Sequence, residues 1–199
     1  TFARRKTRVP TKGFEYSRSG NPTRNALETC IASLENGRHG LAFSSGLAAE
    51  TVVLSSMPKD SHVVLCSDVY GGTFRLFDKV FQNFNLSYTI ADPFSPDFEK
   101  AFNENTKAVW LESPTNPLLK VYDIKRISEI AKKRNCLTIV DNTFASPFLQ
   151  KPLDFGADIV LHSATKYLGG HSDVVGGVVV VNDEKIFEIL IEAGARISD

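Results

Sequence analysis

The sequence predicts an α/β domain built around a mainly parallel sheet. Two observations carry this. Short apolar segments such as His62–Ser67, Ala108–Glu112 and Leu137–Asp141 have the composition of buried strands. Helical patterns alternate with them along the chain, which is how strands of a parallel sheet are connected.

Residues 1–20 show neither helical nor strand period and read as an extended basic N-terminal arm; residues 21–199 read as one domain. Asn21-Pro22 opens a helix, since Asn caps and Pro is tolerated in the first turn. Leu27, Ile31 and Leu34 then recur at helical spacing. Ser44-Ser45-Gly46 opens a second helix over 46–57. His62–Ser67 is a buried strand, and Phe74, Phe77, Val80, Phe81 and Phe84 mark an amphipathic helix. Leu86–Ala91 is a strand, after which Pro93 and Pro96 break the chain. Asp97–Asn103 reads as helical and Ala108–Glu112 as a strand. Asp123–Arg134 is a helix with Ile124, Ile127, Ile130 and Ala131 on one face. Leu137–Asp141 and Asp158–His162 are strands, Val174–Val181 is the strongest strand signal, and Ile186–Ala195 closes as a helix.

Bulk properties narrow the function classes. Hydrophobic residues make up 42%, enough for a sizeable core. Formal net charge is zero, so no overall field draws nucleic acid or anionic lipid. The charge is uneven: Arg4, Arg5, Lys6, Arg8, Lys12, Arg18 and Arg24 face Glu15 alone in residues 1–24. That start reads as a solvated arm or as a source of one or two phosphate contacts; no aromatic residues interleave its Arg-Arg-Lys-Thr-Arg run to suggest a nucleic-acid patch. Cys30, Cys66 and Cys136 are odd in number and widely spaced, which indicates neither a disulfide framework nor a zinc site and fits a reducing, cytoplasmic setting. No apolar run of membrane-spanning length occurs. The chain lacks an apolar signal segment and an initiator Met, so it is expected to begin inside a longer protein.

In parallel sheets ligands bind at the carboxyl ends of strands, which directs attention to Glu112, Asp141 and Ser163–Lys166. Lys166 follows a strand and is flanked by Ser163 and Thr165. It is either a lysine leaving the sheet into solvent or a Schiff-base lysine with hydroxyls ready for a phosphate. Asp141 is either a turn cap or the partner of a cationic ring nitrogen. Ser44-Ser45-Gly46-Leu47 precedes a helix, where free N–H groups and the helix dipole favour phosphate. Tyr70-Gly71-Gly72-Thr73 is either a glycine turn with a core tyrosine or an aromatic ring placed to stack on a flat ligand.

Taken together, Tyr16–Thr23, Ser44–Gly46, Asp68–Thr73, Glu112–Pro117, Val140–Thr143 and Ser163–Tyr167 resemble the Cys/Met-metabolism family of pyridoxal-phosphate enzymes, from about Gly13 to about Leu190. The resemblance implies an aspartate-aminotransferase-like (fold type I) large domain, with the family's C-terminal small domain absent from this chain. It implies a cofactor, pyridoxal 5'-phosphate, linked to Lys166, with Asp141 on the pyridine nitrogen and Tyr70 stacked on the ring. Gly46, Leu47, Ser163 and Thr165 would hold the phosphate, and Thr143 would belong to the cofactor site. Asn116, Arg75 and Glu112 would face the substrate. Tyr16 and Arg18 would reach the phosphate of a neighbouring subunit, which implies a homodimer, usually paired into a homotetramer.

Within the family, methionine γ-lyases carry Cys where this chain has Gly72, and bacterial cystathionine β-lyases usually lack the Tyr-Gly-Gly-Thr form. Gly13–Arg18, Gly169–Val175 and Arg75 look most like cystathionine γ-lyase or γ-synthase. The expected reaction is γ-elimination on L-cystathionine, giving cysteine, 2-oxobutanoate and ammonia. The alternatives are another reaction of the family or a non-catalytic fragment that binds cofactor or a partner. Residues 191–199 do not look like the family's usual continuation, which bears on the last of these.

Overall fold

The computed structural model describes residues 4–6, 9–10 and 20–198, with side chains over 20–194. Nine strands and six α-helices are defined among these residues. Seven strands make one sheet, in the order β3 (His39–Phe43), β9 (Gly177–Val181), β8 (Ile159–Ser163), β7 (Leu137–Asp141), β6 (Thr106–Glu112), β4 (His62–Cys66) and β5 (Ser87–Ala91). β8, β7, β6, β4 and β5 are mutually parallel, and β9 runs against both of its neighbours. The mainly parallel prediction therefore holds. A further pair, β1 (Arg4–Lys6) and β2 (Val9–Pro10), lies antiparallel in the arm that showed no strand period.

The strands are apolar throughout because both faces are covered. On one face Val64, Val109, Leu111, Val140, Val160 and Val178 pack under α1 (Pro22–Leu34) and α4 (Ile124–Lys133). On the other, Leu65, Trp110, Ile139, Ile159, Leu161 and Val179 pack under α2 (Gly46–Ser55), α3 (Gly71–Arg75) and its continuation, and α6 (Glu184–Ser198). The caps follow the sequence: Asn21 Oδ1 accepts from the Thr23 and Arg24 amides, and Asp123 Oδ1 accepts from Arg126 N.

Five elements depart from the sequence reading. The helix expected from Phe74 to Phe84 is α3, then a π-helical turn over Leu76–Val80, then a 3-10 turn over Phe81–Phe84 that Asn85 ends in the left-handed region. The wider turn lets Phe77 and Phe81 bury while Phe84 stays exposed. Asp97–Asn103 shortens to a 3-10 turn over Phe98–Ala101, and a further short helix, α5 (Ser146–Leu149), has no counterpart in the sequence reading. Strand β9 begins at Gly177, not at Val174, because Thr165 captures the Gly176 backbone: its hydroxyl lies 3.2 Å from Gly176 O and 3.1 Å from Gly176 N. Strand β3 escaped sequence reading because Gly40 weakens its pattern. A Cβ at Gly40 would fall 2.2 Å from Glu28 O, so the glycine is what lets α1 lie against this strand.

Candidate active site

Strands β6, β7 and β8 are adjacent and parallel, so Glu112, Asp141 and Ser163 finish at one edge of the sheet. Glu112 pairs in register with Asp141, and Asp141 with Leu161. Since paired residues point to the same side, both carboxyl groups face α2 and α3.

Asp141 is 7% exposed, and its Oδ1 accepts from Thr143 N at 2.9 Å and Thr143 Oγ1 at 2.5 Å. Its Oδ2 has no hydrogen-bond partner among the described residues. Burial raises the Asp141 pKa, while the Thr143 hydrogen bonds and the nearby His162 pull it down. The Thr143 hydroxyl also accepts from Ser163 N at 2.8 Å, so one threonine ties β7's end to β8's end.

Helix α2 meets the same edge. Ser45 Oγ caps it by accepting from Ala48 N at 3.0 Å, and the Gly46 and Leu47 amides belong to the first turn, which the helix's own ladder leaves unpaired. A Cβ at Gly46 would lie 2.9 Å from Ser163 Cβ, so the helix start and the Ser163 side chain are in contact. Gly177 permits this approach, because a Cβ there would fall 2.1 Å from Ser45 O. Ser163 Oγ has no hydrogen-bond partner among the described residues, whereas the Thr165 hydroxyl already donates to Gly176 O and accepts from Gly176 N.

Lys166 sits in the turn after β8, its N–H donating to Ser163 O at 3.1 Å. Its exposed side chain lines a cavity of about 670 Å³ with Phe144, Tyr167, Asp173, Val174 and Val175. Asp141, Tyr70 and Gly46 do not line that cavity, which adjoins the strand-end site and does not enclose it.

Tyr70 stands at the start of α3 with its ring 43% exposed. Its backbone N–H donates to Glu112 Oε2 at 2.6 Å. A Cβ at Gly72 would lie 2.3 Å from Tyr70 Cε1, so the ring rests on bare backbone. Glu112, expected at the substrate, is thus buried and holds the Tyr70 main chain. Burial, then the Asp141 charge, push its carboxyl well above the usual range, against the pull of the Tyr70 N–H. Arg75 is exposed, its Nη1 3.4 Å from where a Gly71 Cβ would be, and no described residue pairs with it. Asn116 is half-buried between Thr115 and Pro117. Tyr16 and Arg18 lie outside the described residues.

Sequence reasoning missed Glu50. It is 3% exposed on α2, its Oε1 accepts from Thr73 Oγ1 at 3.1 Å, and its Oε2 is buried without a partner. Burial, with the Asp141 charge adding to it, pushes its pKa up to about 8, and the Thr73 hydrogen bond works the other way. The available signal was one acid in the run from Leu47 to Leu54, where every other residue but Thr51 is apolar. Glu50 and Glu112 therefore hold the two ends of the Tyr70–Thr73 segment beside Asp141.

The chain belongs to the family of Cys/Met metabolism PLP-dependent enzymes, whose model matches residues 1–196. That match runs past Leu190, through most of the segment that looked unlike the family. A cystathionine β-lyase of Lactococcus lactis subsp. cremoris is 59% identical over 184 residues, which are 92% of this chain and 48% of that protein. A cystathionine γ-lyase of Bacillus subtilis is 55% identical over 89% of this chain and 47% of its own length. Another relative, from Mycobacterium leprae, is named cystathionine γ-synthase. The crystal structure of cystathionine γ-lyase from Lactobacillus plantarum complexed with L-serine superimposes with a TM-score of 0.93, at 48% identity, covering 99% of this chain and 52% of that one. The fold is that of the fold type I pyridoxal-phosphate enzymes. The chain spans about half the length of the curated relatives it matches.

The residues present fit pyridoxal phosphate. Asp141 is a buried residue whose Oδ2 takes no hydrogen bond from any described residue, suited to a ring N–H. The Gly46 and Leu47 amides and Ser163 Oγ offer donors to a phosphate, and Lys166 follows the same strand.

Proposed function

We propose that this chain forms the cofactor-binding part of an enzyme that eliminates the sulfur substituent of L-cystathionine at Cγ, giving cysteine, 2-oxobutanoate and ammonia. The observation that carries the substrate class is Arg75, an exposed cation unpaired among the described residues, lying over Gly71 beside the Tyr70 turn. Cystathionine has an amino-acid group at each end, so its distal carboxylate suits a guanidinium on the rim of the site. A methionine-like substrate has no such group.

When bound, pyridoxal phosphate supplies an electron-accepting ring and an aldehyde carbon for an amine. Lys166 would hold the cofactor through that carbon, and its amine, once free, would take the substrate's α-proton. Asp141 Oδ2 would hold a proton at the ring nitrogen. The same amine would take the second proton, from Cβ, and the Tyr70 phenol would donate a proton to the sulfur as the Cγ–S bond breaks.

A second reading is elimination at Cβ of the same substrate, giving homocysteine, pyruvate and ammonia. The Lactococcus relatives, named β-lyases at 59% identity, favour it. Chromatography of the oxo acids formed from L-cystathionine separates the two. 2-Oxobutanoate supports γ-elimination and pyruvate supports β-elimination. Formation of neither by the cofactor-loaded protein overturns both.

The site needs a second subunit in this reading, with Tyr16 and Arg18 reaching the partner's phosphate in a homodimer paired into a homotetramer. The three widely spaced cysteines suit a reducing cytoplasm.

A further inference from the structure

Behind the site, on the α1 and α4 face of the sheet, lies a second polar cluster that none of the cofactor residues explains. Glu35, directly after α1, is 0% exposed. Its Oε1 accepts from His162 Nε2 at 2.5 Å and from Asn142 Nδ2 at 2.8 Å. Asn142 in turn donates to Gln150 O at 2.8 Å and accepts from Gln150 Nε2 at 2.9 Å. The same Gln150 Nε2 donates to Ser113 O at 2.8 Å.

The placement of these residues is systematic. Ser113 follows Glu112, Asn142 follows Asp141, and His162 precedes Ser163. Because consecutive residues at a strand end face opposite sides, each back-face member is one peptide away from a front-face site residue. The cluster thus joins the ends of β6, β7 and β8 from behind, while Thr143 joins β7 and β8 from the front.

Stability alone does not account for it. Glu35 Oε2 and His162 Nδ1 are buried without a hydrogen-bond partner. A partly satisfied buried polar network costs more than apolar packing of the same volume. What it supplies that apolar packing does not is a fixed relative position for three strand ends.

We propose that Glu35 is a positioning residue for the cofactor site: by bonding His162 and Asn142 with one oxygen it sets the spacing of Asp141 from the Ser163–Lys166 segment. This rests on the pyridoxal-phosphate assignment and is independent of which C–S bond is cut. Glu35 touches neither cofactor nor substrate, and it acts only through the strand ends.

The test uses the cofactor-loaded protein and reads pyridoxal-phosphate affinity, the visible absorption band of the bound cofactor, and thermal stability. Glu35→Gln keeps the accepting oxygen and should bind cofactor within about threefold of the parent with an unchanged band. Glu35→Ala should weaken cofactor binding at least about tenfold and alter the band, as loss of supporting hydrogen bonds does at other prosthetic sites. The double variant Glu35→Leu with His162→Phe replaces the pair by apolar groups, which commonly leaves stability equal or higher. It should still bind cofactor at least about tenfold more weakly. Parent-like affinity and spectrum in any folded variant that lacks the accepting oxygen would overturn the proposal. So would a Glu35→Gln variant as impaired as Glu35→Ala, which would show that charge and not position is at work. A parent protein that binds no pyridoxal phosphate would overturn the cofactor assignment, and this proposal with it.

Discussion

Glu50→Gln should make the stability of the cofactor-free protein less dependent on pH. The substitution keeps the shape and the acceptor for Thr73 Oγ1 but cannot ionise. In the folded protein Glu50 holds its proton up to about pH 8, whereas an unfolded chain releases it near 4.5. A raised carboxyl pKa stabilises the fold fully below the unfolded value, and that contribution is lost as pH rises through the interval to the folded value. The interval from 4.5 to about 8, at about 1.4 kcal/mol per pH unit, sets a ceiling near 5 kcal/mol. Relaxation around the new charge lowers that figure, so about 3 to 5 kcal/mol is expected. Glu112 is raised partly by Glu50, so removing the Glu50 charge flattens the profile in the same direction. Urea unfolding of parent and variant at pH 5, 7 and 9 measures the effect. The variant should gain stability relative to the parent between pH 5 and 8 and hold that gain above 8. Equal parent–variant differences at pH 5 and 9 would refute the claim that the buried carboxyl keeps its proton.

The remaining predictions follow from the same geometry. Borohydride reduction of the cofactor-loaded protein should label Lys166 and no other lysine; peptide mapping decides, and Lys166→Ala should abolish the label. Asp141→Asn should keep the fold but lose at least about a hundredfold in turnover, since an amide cannot hold the ring proton; near-normal rates with an unchanged cofactor spectrum would contradict the role. Gly177→Ala drives a Cβ to 2.1 Å from Ser45 O, so the start of α2 must move. It should cost about 1 to 3 kcal/mol and weaken cofactor binding together, and calorimetry paired with a cofactor titration checks both. Inactive Arg18→Ala and Lys166→Ala subunits, mixed under exchanging conditions, should recover part of the activity because one hybrid site has both residues intact; no recovery would place Arg18 in its own subunit's site.

Local pattern sufficed wherever the chain's own chemistry decides the outcome. Apolar runs that cannot face water gave β4, β6, β7 and β8, capping residues gave the starts of α1 and α2, and isoleucine spacing gave α4. Six motifs in order, from Tyr16–Thr23 to Ser163–Tyr167, gave the family, which the match over residues 1–196 bears out. Tertiary structure decided what depends on residues far apart in sequence. Gly40 hides β3 by local weakness, and only the pairing of His39–Phe43 with β9 makes that segment a strand. Thr165 was read as a phosphate ligand, yet Gly176 occupies its hydroxyl, a contact that closes the β8–β9 connection and that no local pattern encodes. Glu50 and Glu112 acquire raised pKa values only because α2, α3 and β6 bury them beside Asp141. Glu35 and His162 are 127 positions apart, and their bond exists only because α1 ends against the back of β8. Burial and proximity are properties of the packed sheet, and a sequence states them only where neighbours along the chain are also neighbours in space.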